Sequence, residues 1–173
     1  MHPWTPLLIP HVFAALTSVV LGGYQLWRRP RGDARHRLLG RTWAVLLLWT
    51  AITSFWIRDI HEGAFSWLHV LSVVTLVTVT LGVVNARRGN VQAHRGNMVG
   101  SWLGAVGAML AAVAIPSRMI PTYAVAEPGG ALAFALSVLV VTAVLVAAGS
   151  RLANLVDRRA GRAERHAGNG IHA

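Results

Sequence analysis

From Ala131 to Gly149 the chain carries no charge, and four earlier stretches of similar length are nearly as apolar. An α-helix rises about 1.5 Å per residue and the bilayer hydrocarbon is about 30 Å thick, so about 20 apolar residues span it. Five such stretches in a chain of 173 residues leave little sequence from which to build a soluble core. They run from Trp4 to Trp27, Leu38 to Ile57, Phe65 to Ala86, Asn97 to Ile115 and Ala131 to Ala148. The runs are continuous rather than alternating, which predicts helices and not barrel strands. The expected fold class is all-α: an integral membrane helical bundle of five transmembrane helices.

Charge placement supports this reading. Only 13% of the residues are charged, against about 25% in a soluble domain. The net charge is +10, and all sixteen cations are arginine. A nucleic-acid binder spreads its cations over one face of a soluble fold. Here they lie in alternate connections, 28–37, 87–95 and 151–165, which is the positive-inside pattern and excludes a nucleic-acid partner. The bias predicts an outside N-terminus and a cytoplasmic C-terminus. No positive segment precedes the first span, which is also too long for a signal peptide. The seven Trp mostly sit near span ends and are expected to be interface anchors. There is no cysteine, so disulfides, thiolate metal sites and covalent c-type haem attachment are excluded.

An internal repeat organises the first four spans. His11 and His36 are 25 positions apart, and so are His69 and His94. His-Val opens each unit, Arg28-Arg29 corresponds to Arg87-Arg88, Gly40 to Gly100 and Arg58 to Arg118. The units cover residues 9–60 and 67–120. Two passes per unit keep the copies parallel, so matching residues lie at matching depths. The domain reading is a transmembrane domain over 1–149, with a core of two tandem helical hairpins plus an added helix at 131–148, and an Arg-rich cytoplasmic tail over 150–173. The tail is expected to continue as helix and fray at its end, leaving His166 and His172 without a site role. The added helix either packs on the bundle or mediates self-association into a homo-oligomer.

In an up-down-up-down bundle, helices one and three are diagonal, as are two and four. This predicts two diagonal histidine pairs, His11 with His69 and His36 with His94, in layers about 20–25 Å apart. Intramembrane histidine is expensive and marks function by default. Two facing imidazoles can ligate haem iron, so two b-type haems are expected, with all four histidines as ligands. Gly22, Gly23, Gly82, Gly100 and Gly104 are candidates for letting a flat ring approach. Arg58 and Arg118 at one face, and Arg37, Arg41 and Arg95 at the other, are candidates for pairing with propionates. His61 has no counterpart in the first unit and reads as a loop residue. Met98, Met109 and Met119 read as packing.

The residues quoted so far carry a resemblance. "HRLLGRTW" matches an H-R-x-x-G-R-x-aromatic motif, and "HRGNM" an H-R-x-x-M motif, of an uncharacterised bacterial multi-pass membrane family, a domain of unknown function. With His11 opening the preceding helix, the similarity covers roughly 9–118. It implies the bacterial inner membrane. The four-helix, four-histidine layout also resembles cytochrome b561-type two-haem proteins. That resemblance is one of architecture; it implies ligand roles for His11, His69, His36 and His94 and electron transfer between the two membrane faces. The inner histidines lie nearer the helix ends than that layout has them. No G-x-G-x-x-G segment or flavin domain is present, so the expected redox partner is a small molecule, a quinone or a protein. The alternative is a non-redox binding or assembly protein handling metal, haem or anionic lipid. A classical hydrolase is not expected, because all six acids lie in connections or the tail.

Overall fold

The computed structural model describes residues 6–57, 67–114 and 119–169. Six helices follow one another: α1 (Leu8–Trp27), α2 (Ala34–Thr53), α3 (Trp67–Arg87), α4 (Val91–Ala114), α5 (Met119–Ala126) and α6 (Pro128–Asn169). A 3-10 turn, Ser54–Trp56, extends α2. No strand occurs among the described residues. Five of the helices are long and apolar enough to cross a membrane, and the protein is an all-helical membrane bundle.

Local chemistry explains the hairpins. α1 stops at Arg28, whose backbone is extended, and Pro30 follows in the connection. Gly32 has φ +85°, and Asp33 caps α2 by accepting the His36 amide at 2.9 Å. The second hairpin is tighter. The Gly89 amide donates to the Ala86 carbonyl and the Asn90 amide to the Asn85 carbonyl, around Gly89 at φ +74°, a glycine-terminated helix end. Asn90 then caps α4 by accepting the Ala93 amide at 3.1 Å. This capping starts α4 six residues before Asn97, the predicted start, and places His94 inside the first turn. Gly89→Ala is expected to lower stability by about 1–2 kcal/mol, since a side chain resists this backbone region. Gly100→Ala, in open space on a helix face, is neutral or stabilising. Thermal unfolding in detergent compares the two, and equal shifts would contradict this account.

α1 and α3 each pack between α2 and α4, so the diagonals are α1/α3 and α2/α4, as expected from the repeat. α6 lies outside this ring, against α1 and α2. It docks through a stripe of Val138, Thr142, Gly149 and Ala153, all buried. A Cβ on Gly149 would lie 2.6 Å from Leu39 of α2, so the bare backbone sets how closely the two helices approach. Phe13 meets Phe134 edge-on at 5.8 Å. As expected, helix continues past the apolar span that ends at Ala148: α6 runs for 42 residues, or about 63 Å. Roughly half of it lies beyond a bilayer's hydrocarbon thickness of about 30 Å.

The centre of the ring holds Leu21, Leu39, Trp43, Leu47 and Val79. Hydroxyls bridge helices beside it: Ser54 donates to Ser72 at 2.6 Å, and Thr78 and Ser101 lie 2.7 Å apart. Such bonds register helices where lipid offers no hydrophobic discrimination. Trp27 and Trp56 sit exposed at helix ends, as anchors should. Trp43 and Trp102 do not. Their indole N–H groups donate to the Ser18 and Val19 carbonyls of α1, each at 2.9 Å. Their place is the core, because a buried indole N–H needs an acceptor and α1 exposes carbonyls beside Gly22-Gly23.

Candidate histidine sites

α2 and α4 each begin at the same end of the bundle, here called the hairpin end. His36 lies in the first turn of α2, three residues past its Asp33 cap, and His94 four residues past Asn90. The two rings meet edge-on, with centroids 6.3 Å apart and planes at 90°. The His94 Nδ1 is 2.9 Å from the Gly82 carbonyl. A carbonyl only accepts, so Nδ1 carries the proton and Nε2 keeps its lone pair. His36 is held by its backbone: its amide donates to Asp33, and its carbonyl accepts from Gln25 Nε2 at 3.0 Å. Its Nδ1 is buried and has no hydrogen-bond partner. Two imidazoles on one metal, with bonds of about 2.0 Å, stand about 6.2 Å apart between centroids. The centroid spacing of this pair is close to that of two imidazoles sharing one metal.

The predicted cations are arranged differently from expectation. Arg37 is exposed and donates to the Gly32 carbonyl at 2.7 Å. Arg41 is exposed. Arg95 is exposed and lies near Arg31 of the first hairpin, with Arg29 beside them. Partial desolvation, then the like charges of Arg29 and Arg95, hold the Arg31 guanidinium below its usual range. Arg28 and Arg31 are near enough to His36 to act on its charge. Arg28 is committed elsewhere: it forms a two-pronged ion pair with Asp33, one contact at 2.8 Å. Hydrogen bonding to Arg28 holds the Asp33 carboxyl well below the usual carboxylate range and raises the Arg28 pKa.

A carboxylate whose pKa falls on folding stabilises the fold above its unfolded value, and that contribution is lost as pH falls through the folded one. The wild-type protein is expected to lose thermal stability below about pH 4 more steeply than Asp33→Asn, as melting curves at pH 3 and pH 7 would show. Parallel curves would remove Asp33 from this role.

At the distal end, the Thr53–Phe55 turn engages both remaining histidines. His11 Nδ1 lies 2.8 Å from Thr53 Oγ1. The buried His69 packs its ring against Phe55, with centroids 5.7 Å apart. Ser54 between them bonds Ser72, one turn along α3 from His69. Arg58, Arg118 and His61 lie outside the described residues, as does His172; nothing is described of the His166 side chain.

The expected ring-approach glycines are largely filled. A Cβ on Gly22 would lie 2.4 Å from Trp102 and 2.5 Å from Trp43. Gly23 is flanked by Trp27 and Trp102, Gly82 by Met98 and Gly104 by Leu71, while Gly100 faces open space. The glycines admit the protein's own side chains, because paired indoles and a flexible thioether fill the gaps that small residues leave. Among the described residues no group of three or more His, Asp or Glu could share a metal ion. At the hairpin end the candidate centre is the His36–His94 pair; at the distal end His11 and His69 each contact the 53–55 turn. Gln25, buried with its amide oxygen lacking a partner, belongs to the hairpin-end cluster, and sequence reasoning missed it. Its only signal is an amide in the last turns of an apolar helix.

No curated protein and no solved structure is significantly similar to the chain. One family does match, over residues 8–150, which takes in the first four spans, the apolar part of the fifth, and His11, His36, His69 and His94. With its apolar helices, repeated hairpins and membrane architecture in view, the chain belongs to DUF2306, a predicted membrane protein family of unknown function.

Proposed function

We propose that the protein carries electrons across the membrane as a b-type, b561-like cytochrome, with His36 and His94 ligating one haem and His11 and His69 a second. The observation that carries this reading is the His36–His94 pair: two imidazoles on diagonal helices, 6.3 Å apart and perpendicular. A haem bound there supplies a one-electron couple whose potential follows its ligands, burial and hydrogen bonding. The chain's own residues supply those controls. The Gly82 carbonyl orients His94 and raises its basicity. Trp43, Leu39 and Val79 keep water from the space between the two layers. Arg95 and Arg31 offer positive charge at the hairpin end for a propionate carboxylate. Positive-inside placement puts that end in the bacterial cytoplasm, and the donor and acceptor are a quinone, a small reductant or a protein.

The test is a reduced-minus-oxidised absorbance spectrum of protein expressed with ample haem, quantified as haem per chain. Two haems per chain are expected. A protein that stays colourless overturns the proposal.

A further inference from the structure

We infer that Thr53 is a positioning residue for the distal histidine site, fixing His11 in the tautomer whose Nε2 lone pair is free to bind a metal. The inference deepens the proposed haem reading and rests on it for the identity of the ligand, though not for the hydrogen bond itself.

The count of available protons assigns the tautomer. A threonine hydroxyl has a single proton and accepts through its remaining lone pairs. Thr53 Oγ1 lies 2.8 Å from the Trp49 carbonyl one turn back, and 3.2 Å from that of Thr50. Both carbonyls can only accept, so the hydroxyl proton points toward them. The 2.8 Å contact with His11 Nδ1 then needs a proton from the imidazole. His11 is thereby an Nδ1 donor, and its Nε2 keeps a lone pair. This is the same tautomer that the Gly82 carbonyl imposes on His94. One histidine in each layer is thus prepared for ligation through Nε2 by a different acceptor.

The placement of Thr53 is a property of the first hairpin alone. Thr53 is buried at the end of α2. Its neighbours Ser54 and Phe55 contact Ser72 and His69 of α3. One short turn thus holds the elements that present both distal histidines. At the offset of 60 that relates Gly40 to Gly100 and Arg58 to Arg118, the corresponding positions of the second repeat are Val113, Ala114 and Ile115, which have no hydroxyl and no ring. The Thr53 hydroxyl beside His11 is therefore a contribution of the first repeat that the second cannot copy at the matching position.

The experiment reads the tautomer directly. Protein labelled with 15N-histidine is purified without added haem, and the His11 signal is assigned by its loss in His11→Asn. The expected spectrum is that of a neutral Nδ1–H imidazole. Thr53→Ser keeps the acceptor and should keep that signal, whereas the near-isosteric Thr53→Val should convert it to the Nε2–H form or to a mixture. In haem-loaded protein the same Thr53→Val should weaken distal haem retention about tenfold or more, as loss of an outer-shell partner does, with Thr53→Ser near wild type. A wild-type His11 protonated on Nε2, or a signal unmoved by Thr53→Val, overturns the inference. Tautomers that respond as expected in a protein that takes up no haem would sink the cytochrome reading and leave the Thr53–His11 assignment standing.

Discussion

Gly22→Ala is expected to destabilise the bundle by about 3–5 kcal/mol, far more than one added methyl normally does, by overpacking and by stranding buried donors. The new Cβ would lie 2.4 Å from Trp102 Cδ1 and 2.5 Å from Trp43 Nε1. Neither indole can swing away cheaply. Each is rigid, and each N–H is bonded to the neighbouring carbonyl of Ser18 or Val19. Displacing them loses both bonds and separates α2 and α4 from α1 together. Gly82→Ala is the useful contrast. Its Cβ would also collide, at 2.0 Å, but with the terminal methyl of Met98, which rotates aside at low cost. Denaturant unfolding in micelles would rank Gly22→Ala well below Gly82→Ala. Repeating Gly22→Ala in a Trp102→Ala background should recover part of the loss, because contacting residues are not additive. A full, undiminished loss there would show that the close approach is not the cause.

His94→Ala is expected to remove one of the two proposed haems per chain, and His36→Ala to remove the same one. The double variant should bind no less than either single variant, because a bis-imidazole site is lost as a unit. Perpendicular ring planes carry a further consequence. In the oxidised protein, this site should show the strongly anisotropic low-spin electron paramagnetic resonance signal of crossed imidazoles, not the three-line rhombic signal of parallel ones. The ring angle of 90° is what sets this expectation. The signal should vanish in His94→Ala and survive in His11→Ala. If His36→Ala and His94→Ala removed different haems, the pairing itself would be wrong.

Both predictions depend on features that the residue pattern showed only in part. Apolar run length predicted the five crossings, since spanning hydrocarbon is a matter of length and charge and needs no partner. The up-down-up-down order of the hairpins predicted which helices would be diagonal, and the matched histidine spacing predicted which residues share a depth. Helix ends were less legible. α4 begins at Val91 and not Asn97 because Asn90 caps it, and a polar first turn does not register as part of an apolar span. The run of α6 past its apolar segment, by contrast, was expected, because helix continues through Arg-rich sequence that can sit outside the hydrocarbon.

Other features followed from neighbours that no local pattern names. "HRLLGRTW" and "HRGNMVGSW" place a tryptophan seven and eight residues after a histidine, and both looked like anchors. Packing sends both indoles to one glycine pair on α1, since only the first repeat has adjacent glycines there; the second has Gly82 followed by Val83. The sequence by itself determined a five-span membrane bundle with two histidine layers, through length, charge and periodicity. Tertiary structure alone decided that His36 and His94 meet edge-on with centroids 6.3 Å apart, that Thr53 and not a second-repeat residue receives His11, and that Arg31 and not Arg37 approaches Arg95. Those outcomes depend on which helix faces are brought together, and that is settled by side chains from distant segments filling one another's gaps.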